Sequence, residues 1–398
     1  TAGALGTGLN AGTLTLAGSN PYTGSTTISS GTLKAASANA FSGFGSILVN
    51  TGALLDLSNQ SLSTGSITQS SGTLTLSTSS VVSVTGNATF GGTLNVIGTV
   101  DATNVGRYTL LTANGTLSGT PVAGSNPDST NYYLNLRGTN LDLQRKATVG
   151  TVTITAAASS IITGGSTALT ISVPNSAPTL SDSFSATLTP LTNISGTSTI
   201  SNLSPQTTST ISNAFAFTGT TVGAQQSGTL RVSATGASNS TVDTSIAIDV
   251  YDHASTTFTG GTLFLGNIRS GYTTTISGTN SLTVTNATGY RASLMGSSNT
   301  IGNLSLSTLS GITSGSSAAI GITLSTGASA GSLDQTFTYT FADDSSLSGA
   351  LTNIGTATIN AKGTVYRPAI GTLERSGSTV VSGSTLSFGA VRLNDALT

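Results

Sequence analysis

Apolar residues alternate with serine or threonine along most of this chain, in short β-branched or Leu-rich segments bounded by glycine or asparagine. That two-residue period predicts strands with one buried face, and no stretch carries a helical period. In the first third the alternation is itself repeated. A glycine precedes a Leu-rich pair at Gly12, Gly31, Gly52, Gly72, Gly92, Gly115 and Gly138, at intervals of 19, 21, 20, 20, 23 and 23 residues. Such spacing predicts a solenoid, in which one coil cannot bury its own apolar face and must stack on the next.

Register follows from the alternation. Leu14/Leu16, Leu33/Ala35, Leu55/Leu57, Leu74/Leu76, Leu94/Val96 and Leu141/Leu143 are expected to point inward, and Thr15, Lys34, Asp56, Thr75, Asn95 and Asp142 outward. Lys34 and Asp56 then become neighbours on successive coils. Asn20-Pro21-Tyr22-Thr23-Gly24 reads as a turn, with Ile28 inward on the strand that follows. The run from Gly12 to Leu16, through Ser19 to Ile28, to Gly31-Thr32-Leu33 resembles the autotransporter-associated β-strand repeat of bacterial surface passengers. Gly52 to Leu57, Tyr108 to Leu111 and Gly115 to Gly119 extend the resemblance, which covers about residues 9 to 146. It implies a right-handed parallel β-helix exported to the cell surface, with no catalytic residues to carry over.

Tyr132 to Arg137 and Leu141 to Leu143 flank Gly138-Thr139-Asn140, a pattern that predicts a hairpin covering the edge of the last coil. Gln144-Arg145-Lys146 follows and reads as a solvated boundary. Beyond it the repeat disappears. Strands are expected at Val152 to Ile154, Leu169 to Val173, Phe184 to Leu188, Phe215 to Phe217, Leu230 to Val232 and Ile246 to Val250, the pattern of an antiparallel, immunoglobulin-like β-sandwich.

Self-comparison shows a further unit. Gly260 to Arg269 aligns with Gly383 to Arg392 at an offset of 123. Together with Ser281 to Asn286 and Ile320 to Leu324, this resembles the tandem immunoglobulin-like modules of large bacterial surface proteins. The expected organisation is all-β: a parallel β-helix with a capping hairpin over 1–146, sandwiches over 147–254 and 255–367, and the start of a truncated third sandwich over 368–398.

Composition narrows the function classes. Of 398 residues only 6% are charged, against roughly 25% in an average domain. The net charge is -1, which leaves no electrostatic footprint for nucleic acid. With no Cys, neither disulfides nor thiolate metal sites can form. No window is apolar enough for a membrane helix, and Thr1 opens no signal-peptide pattern, so a mature or excised segment is expected. A disordered Ser/Thr-rich stalk would share this composition, but it would not show the strand punctuation.

Candidate chemistry is sparse. His253, the only histidine, follows Asp252 at a module junction and reads as a linker residue. Asp343-Asp344 reads as a solvated turn, with calcium binding the alternative. Glycoside chemistry needs converging carboxylates, whereas Asp56, Asp101, Asp128 and Asp142 fall on different coils. Asn193, Asn202 and Asn303 begin glycosylation sequons, as composition alone would produce. Tyr132-Tyr133 is the one clustered aromatic pair that could hold a sugar, and it is expected to pack instead.

No catalytic, cofactor-binding or metal-ligating residue is therefore nominated, and no cofactor is expected. The expectation is a non-enzymatic, extracellular bacterial structural protein, part of a stalk, fibre or adhesin. Its expected partners are other copies of itself, through an open β-helix edge before Gly12, or other surface proteins. A carbohydrate-binding adhesive module with glycans as partners is the first alternative, and a β-helix polysaccharide-degrading enzyme the second.

Overall fold

A computed structural model describes residues 5–7, 12–20, 23–41, 45–57, 59–271, 273–276, 280–369, 373–374 and 380–381. The expected third sandwich over 368–398, the residues before Gly12 other than 5–7, and Pro21-Tyr22 lie mostly or wholly outside them. The chain divides into two compact units, residues 1–159, 166–218 and 227–248, and residues 160–165, 219–226 and 249–398.

The first unit begins with stacked coils whose strands fall into three sheets. One holds Leu5–Thr7, Thr26–Ile28, Ser46–Val49, Ser66–Gln69, Ala88–Phe90 and Leu117–Gly119; a second holds Thr13–Leu16, Gly31–Ala35, Ala53–Asp56, Thr73–Ser77, Thr93–Ile97 and Val122–Ala123. All of these pairings are parallel. In the glycine rhythm, Gly115 precedes Leu117–Gly119 of the first sheet and Gly138 lies in the turn between Tyr132–Arg137 and Asn140–Arg145. The first five glycines of the rhythm mark the second sheet, where Leu14, Leu33, Leu55, Leu74 and Leu94 stand in register on successive coils. The last four of these are fully buried, each worth about 1.5–3 kcal/mol relative to exposure. On the outer face Thr15, Lys34, Asp56, Thr75 and Asn95 form the matching ladder, and the Lys34 ammonium lies 3.5 Å from Asp56 as expected. Being half-exposed, this pair contributes at most about 1 kcal/mol.

The third sheet ends the solenoid. Ser63–Thr64, Val82–Val84 and Arg107–Ala113 pair in parallel, and then the hairpin of Tyr132–Arg137 and Asn140–Arg145 adds antiparallel to Arg107–Ala113. This is the expected cap. One detail differs: Asp142 is fully buried rather than outward, because Arg137 Nε (3.0 Å), Arg107 Nε (3.8 Å) and Thr109 Oγ1 (2.9 Å) close over its carboxylate.

Arg145 and Gln144 are spent joining the cap to the first sandwich. Gln144 Nε2 donates to Leu180 O at 2.6 Å, and Asp182 N donates to Arg145 O. The buried Arg145 guanidinium donates to Ala102 O and Thr148 Oγ1. Leu180 holds a left-handed φ of 70° here, a strained backbone fixed by these contacts.

The sandwich itself pairs Thr153–Ala156, Ser166–Pro174, Thr208–Thr218 and Ile194–Gly196 in one sheet. Phe184–Thr192, Ser198–Leu203 and Gly223–Thr235 belong to the other. The expected strands lie within observed ones, Ile246 to Val250 in Thr241–Tyr251, except that Val152 falls one residue before Thr153–Ala156. Ser160–Ile162, Ile194–Gly196 and Ser198–Leu203 were not expected, since these short hydroxyl-rich segments show too little alternation.

In the second unit one sheet runs Gly260–Arg269, Gly355–Tyr366, Gly331–Asp343, Leu294–Ser297 and Leu309–Ile312. Its core includes Leu263, Leu294, Phe337, Tyr339, Phe341 and Ile359. Two findings differ from a purely antiparallel sandwich with continuous strands. Ile320 to Leu324 is split by Gly321 between Ser317–Ile320 and Ile322–Leu324, which lie in different sheets. The first strand, Gly260–Arg269, also pairs parallel to the last, Gly355–Tyr366. Adjacent first and last strands that run the same way mean that the chain enters this fold at one end and leaves at the other.

The glycine rhythm of the coils has two separate causes. Gly52 sits at φ 76° with open space around it, a left-handed turn position. Gly72 has no such φ, but a Cβ there would collide with the carbonyl oxygens of Asn50 and Ala53 on the neighbouring coil. Asparagine tolerates the left-handed region, so Gly52→Asn should cost less than about 1 kcal/mol in urea unfolding. Gly72→Asn should cost about 2 kcal/mol or more, through overpacking between coils.

Candidate functional site

In the second unit, three segments bring aromatic and ionisable side chains together: residues 249–255 at the chain's entry, the turn over 286–293, and the end of strand Gly331–Asp343. Backbone pairing sets the first two side by side, with Asp252 N donating to Tyr290 O and Ala292 N donating to Asp252 O, each at 2.9 Å. Arg291 then reaches back, its Nη1 lying 2.9 Å from Asp252 Oδ2 and donating to His253 O at 2.8 Å. The Tyr251 and Tyr290 rings stack with centroids 4.6 Å apart and planes 10° from parallel. Desolvation, then the hydrogen bonds and charges of Tyr251 and Asp249, push the Tyr290 phenol above its ordinary range. Asp249 is lowered chiefly by the Gln225 backbone N–H, which donates to it at 2.8 Å.

Asp343 anchors the entry segment from the other side. Its buried carboxylate accepts from Ala254 N at 2.7 Å and from Leu351 N at 2.9 Å, and it lies 2.7 Å from His253 Nδ1. Beneath them Asn286, also fully buried, donates to Ala292 O and Ile312 O and accepts from Ser255 N. The first unit repeats this device. Asn175 donates to Asp182 O and Leu203 O and accepts from Thr148 N and Ala177 N. In both places one asparagine at the end of a strand satisfies the backbone of the segment that enters the module.

Beside this network opens a cleft of about 440 Å³, whose lining includes Tyr251, Tyr290, Arg291, Ser293, Ser314 and Asp344. Arg291 Nε is buried and has no hydrogen-bond partner. Asp344 accepts from the backbone N and hydroxyl of Ser346.

Several residues weighed in the sequence take other places. His253 is not a free linker side chain, because it pairs with Asp343. That aspartate is the buried last residue of a strand rather than part of a solvated turn, while Asp344 does sit in the turn that follows. Tyr132 packs at 1% exposure and donates to Val105 O, whereas Tyr133 is 38% exposed with its hydroxyl hydrogen-bonded to Asp182. Lys146 donates to Ser129 O and Thr130 O. Asn193, Asn202 and Asn303 are all exposed. Among the described residues, no group of three or more His, Cys, Asp or Glu side chains is placed to hold a metal ion. Nor does any helix among them have the length and apolarity to cross a membrane.

Residues 9–35 match the Passenger-associated-transport-repeat. The matched stretch contains the Asn20 to Ile28 run and two of the parallel strands of the second sheet. No curated protein matches the chain in sequence. Among solved structures, domains 4 and 5 of the S-layer protein SbsC are 11% identical, covering 55% of this chain and 100% of that one, with a TM-score of 0.24. The CupB6 tip adhesin from Pseudomonas aeruginosa is 8% identical, covering 56% and 100%, with a TM-score of 0.22. A protein of unknown function from Porphyromonas gingivalis W83 is 12% identical, covering 54% and 100%, at 0.20. Scores this low carry no argument about this chain.

The Asp343 anchor makes a definite prediction. Asp343→Ala leaves the buried Ala254 N–H and the partly buried Leu351 N–H without their acceptor, which should destabilise the second unit by about 2 kcal/mol. Amide hydrogen exchange at the buried Ala254 should accelerate by about 30-fold. His253→Ala should cost only about 1 kcal/mol, because both backbone donors keep their carboxylate.

Proposed function

We propose that this chain is a non-enzymatic structural segment of an extracellular bacterial surface protein, a stalk, fibre or adhesin in which a β-helix leads into immunoglobulin-like modules. The observation that carries this reading is the passenger-repeat match at residues 9–35, lying on in-register parallel coils. The through-running topology of the second unit supports it, since a module entered at one end and left at the other extends a chain rather than folding it back. Composition supports it too: hydroxyl-rich faces with 6% charged residues stay wetted without attracting nucleic acid. The few ionisable groups described above hold backbone segments together, a structural use rather than a chemical one.

The reading is tested on intact cells of the source organism. Antibodies raised against the purified chain should label unpermeabilised cells, and external protease should remove the label. Signal that appears only after permeabilisation would overturn it.

Its partners, on this reading, are other copies of the chain or other surface proteins. Among the described residues, Thr13–Leu16 stands last in its sheet, and one further parallel strand there would continue the Thr15–Lys34–Asp56 ladder. Sedimentation across protein concentrations should show association of the purified chain, and Thr15→Pro should weaken it by removing an edge N–H. Association that the variant leaves unchanged would place the contact elsewhere.

A further inference from the structure

We infer that the cleft beside Tyr251 and Tyr290 in the second unit is a binding site for a neutral oligosaccharide of about two sugar rings. Sugar recognition requires an aromatic face for the apolar C–H side of a pyranose, together with donors and acceptors spaced for its ring hydroxyls. Both kinds of group are present. Tyr251 and Tyr290 are only half-buried and stack on each other, so each ring keeps one face that its partner does not cover. Their mutual stacking and the hydrogen bonds of Tyr290 to Tyr251 and Asp249 hold the rings in place before any ligand arrives. A site fixed in this way loses little side-chain entropy on binding.

The polar groups are complementary to vicinal hydroxyls. Arg291 lines the cleft, with Nη1 held by Asp252 and His253 O, which fixes the guanidinium as part of its wall. Ser314 Oγ shares its one proton between Gly289 O at 2.6 Å and Ala287 O at 3.0 Å, which leaves its lone pairs to accept. The Asp344 carboxylate accepts from Ser346 through Oδ1. A carboxylate has a second oxygen, which can take a sugar hydroxyl.

Charge selects the class. The Arg291 guanidinium is already matched by Asp252, and Asp344 adds a negative charge, so nothing in the cleft favours an acidic sugar or a phosphate. The volume of about 440 Å³ is that of a small-ligand pocket rather than a protein-docking surface.

This inference rests on the proposed reading of the chain as an exposed surface element, yet the two fail separately, because surface labelling can succeed with no sugar bound. Saturation-transfer NMR on the full chain with cellobiose, maltose and lactose tests it directly. At least one disaccharide should receive transfer to its ring protons, with an affinity of about millimolar. Tyr290→Ala should reduce the transfer about 10-fold, and Tyr133→Ala, in the other unit, should leave it unchanged.

Since Tyr290 also supports its surroundings, Ser293→Trp provides a second variant that fills the cleft while keeping both tyrosines. Loss of transfer in a Ser293→Trp chain with unchanged thermal unfolding would support the site. No transfer with any of the three disaccharides, or transfer that Ser293→Trp retains, would overturn it.

Discussion

Backbone pairing between in-register parallel strands is the constraint on which the first unit depends. With no disulfides and very few charges, the chain relies on peptide hydrogen bonds between coils and on the leucines stacked beneath them. A parallel stack transmits its geometry: if one coil is displaced by a residue, every inward leucine above it faces water. Coil length is therefore held nearly constant, and glycines such as Gly72 and Gly92 stand where one backbone passes too close to another for a Cβ. The same constraint requires an ending. The antiparallel hairpin of Tyr132–Arg137 and Asn140–Arg145 supplies it by turning the last ladder back on itself.

Where the chain leaves one sheet and has not yet entered the next, its peptide groups lose strand partners, and the few polar side chains of the interior gather there. Asn175 and Asn286 do the same task at equivalent strand ends, and Asp343 and Arg145 do related ones. A protein with so few ionisable groups can still bury several of them, provided each replaces a missing backbone partner. This explains why a lone histidine beside a buried aspartate is here a clamp on the entering strand. The pair resembles a catalytic dyad only in its distance.

The parallel pairing of Gly260–Arg269 with Gly355–Tyr366 links architecture to use. An antiparallel first and last pair would return the chain to its point of entry. A parallel pair carries it through the module, from one end to the other along neighbouring, hydrogen-bonded strands. Loops such as the 286–293 turn form a recess without interrupting either of these strands.

Much of this was legible in the sequence, for a simple reason: alternation and glycine spacing are local consequences of strand geometry. The coil register, the inward leucines, the Lys34–Asp56 neighbours, the terminal hairpin and the main sandwich strands all follow from counting residues. The strands that alternation did not reveal, such as Ser198–Leu203, are held by their neighbours rather than by their own pattern. Long-range pairing was not legible either. His253 and Asp343 are 90 residues apart, and only the folding of the second unit brings them together. Tyr251 and Tyr290 likewise look unrelated along the chain. The sequence by itself determined which face of each strand is buried, because side-chain alternation is a property of one strand. Only the tertiary structure decided which polar groups meet, because that depends on where sheet ends leave backbone groups in need of a partner.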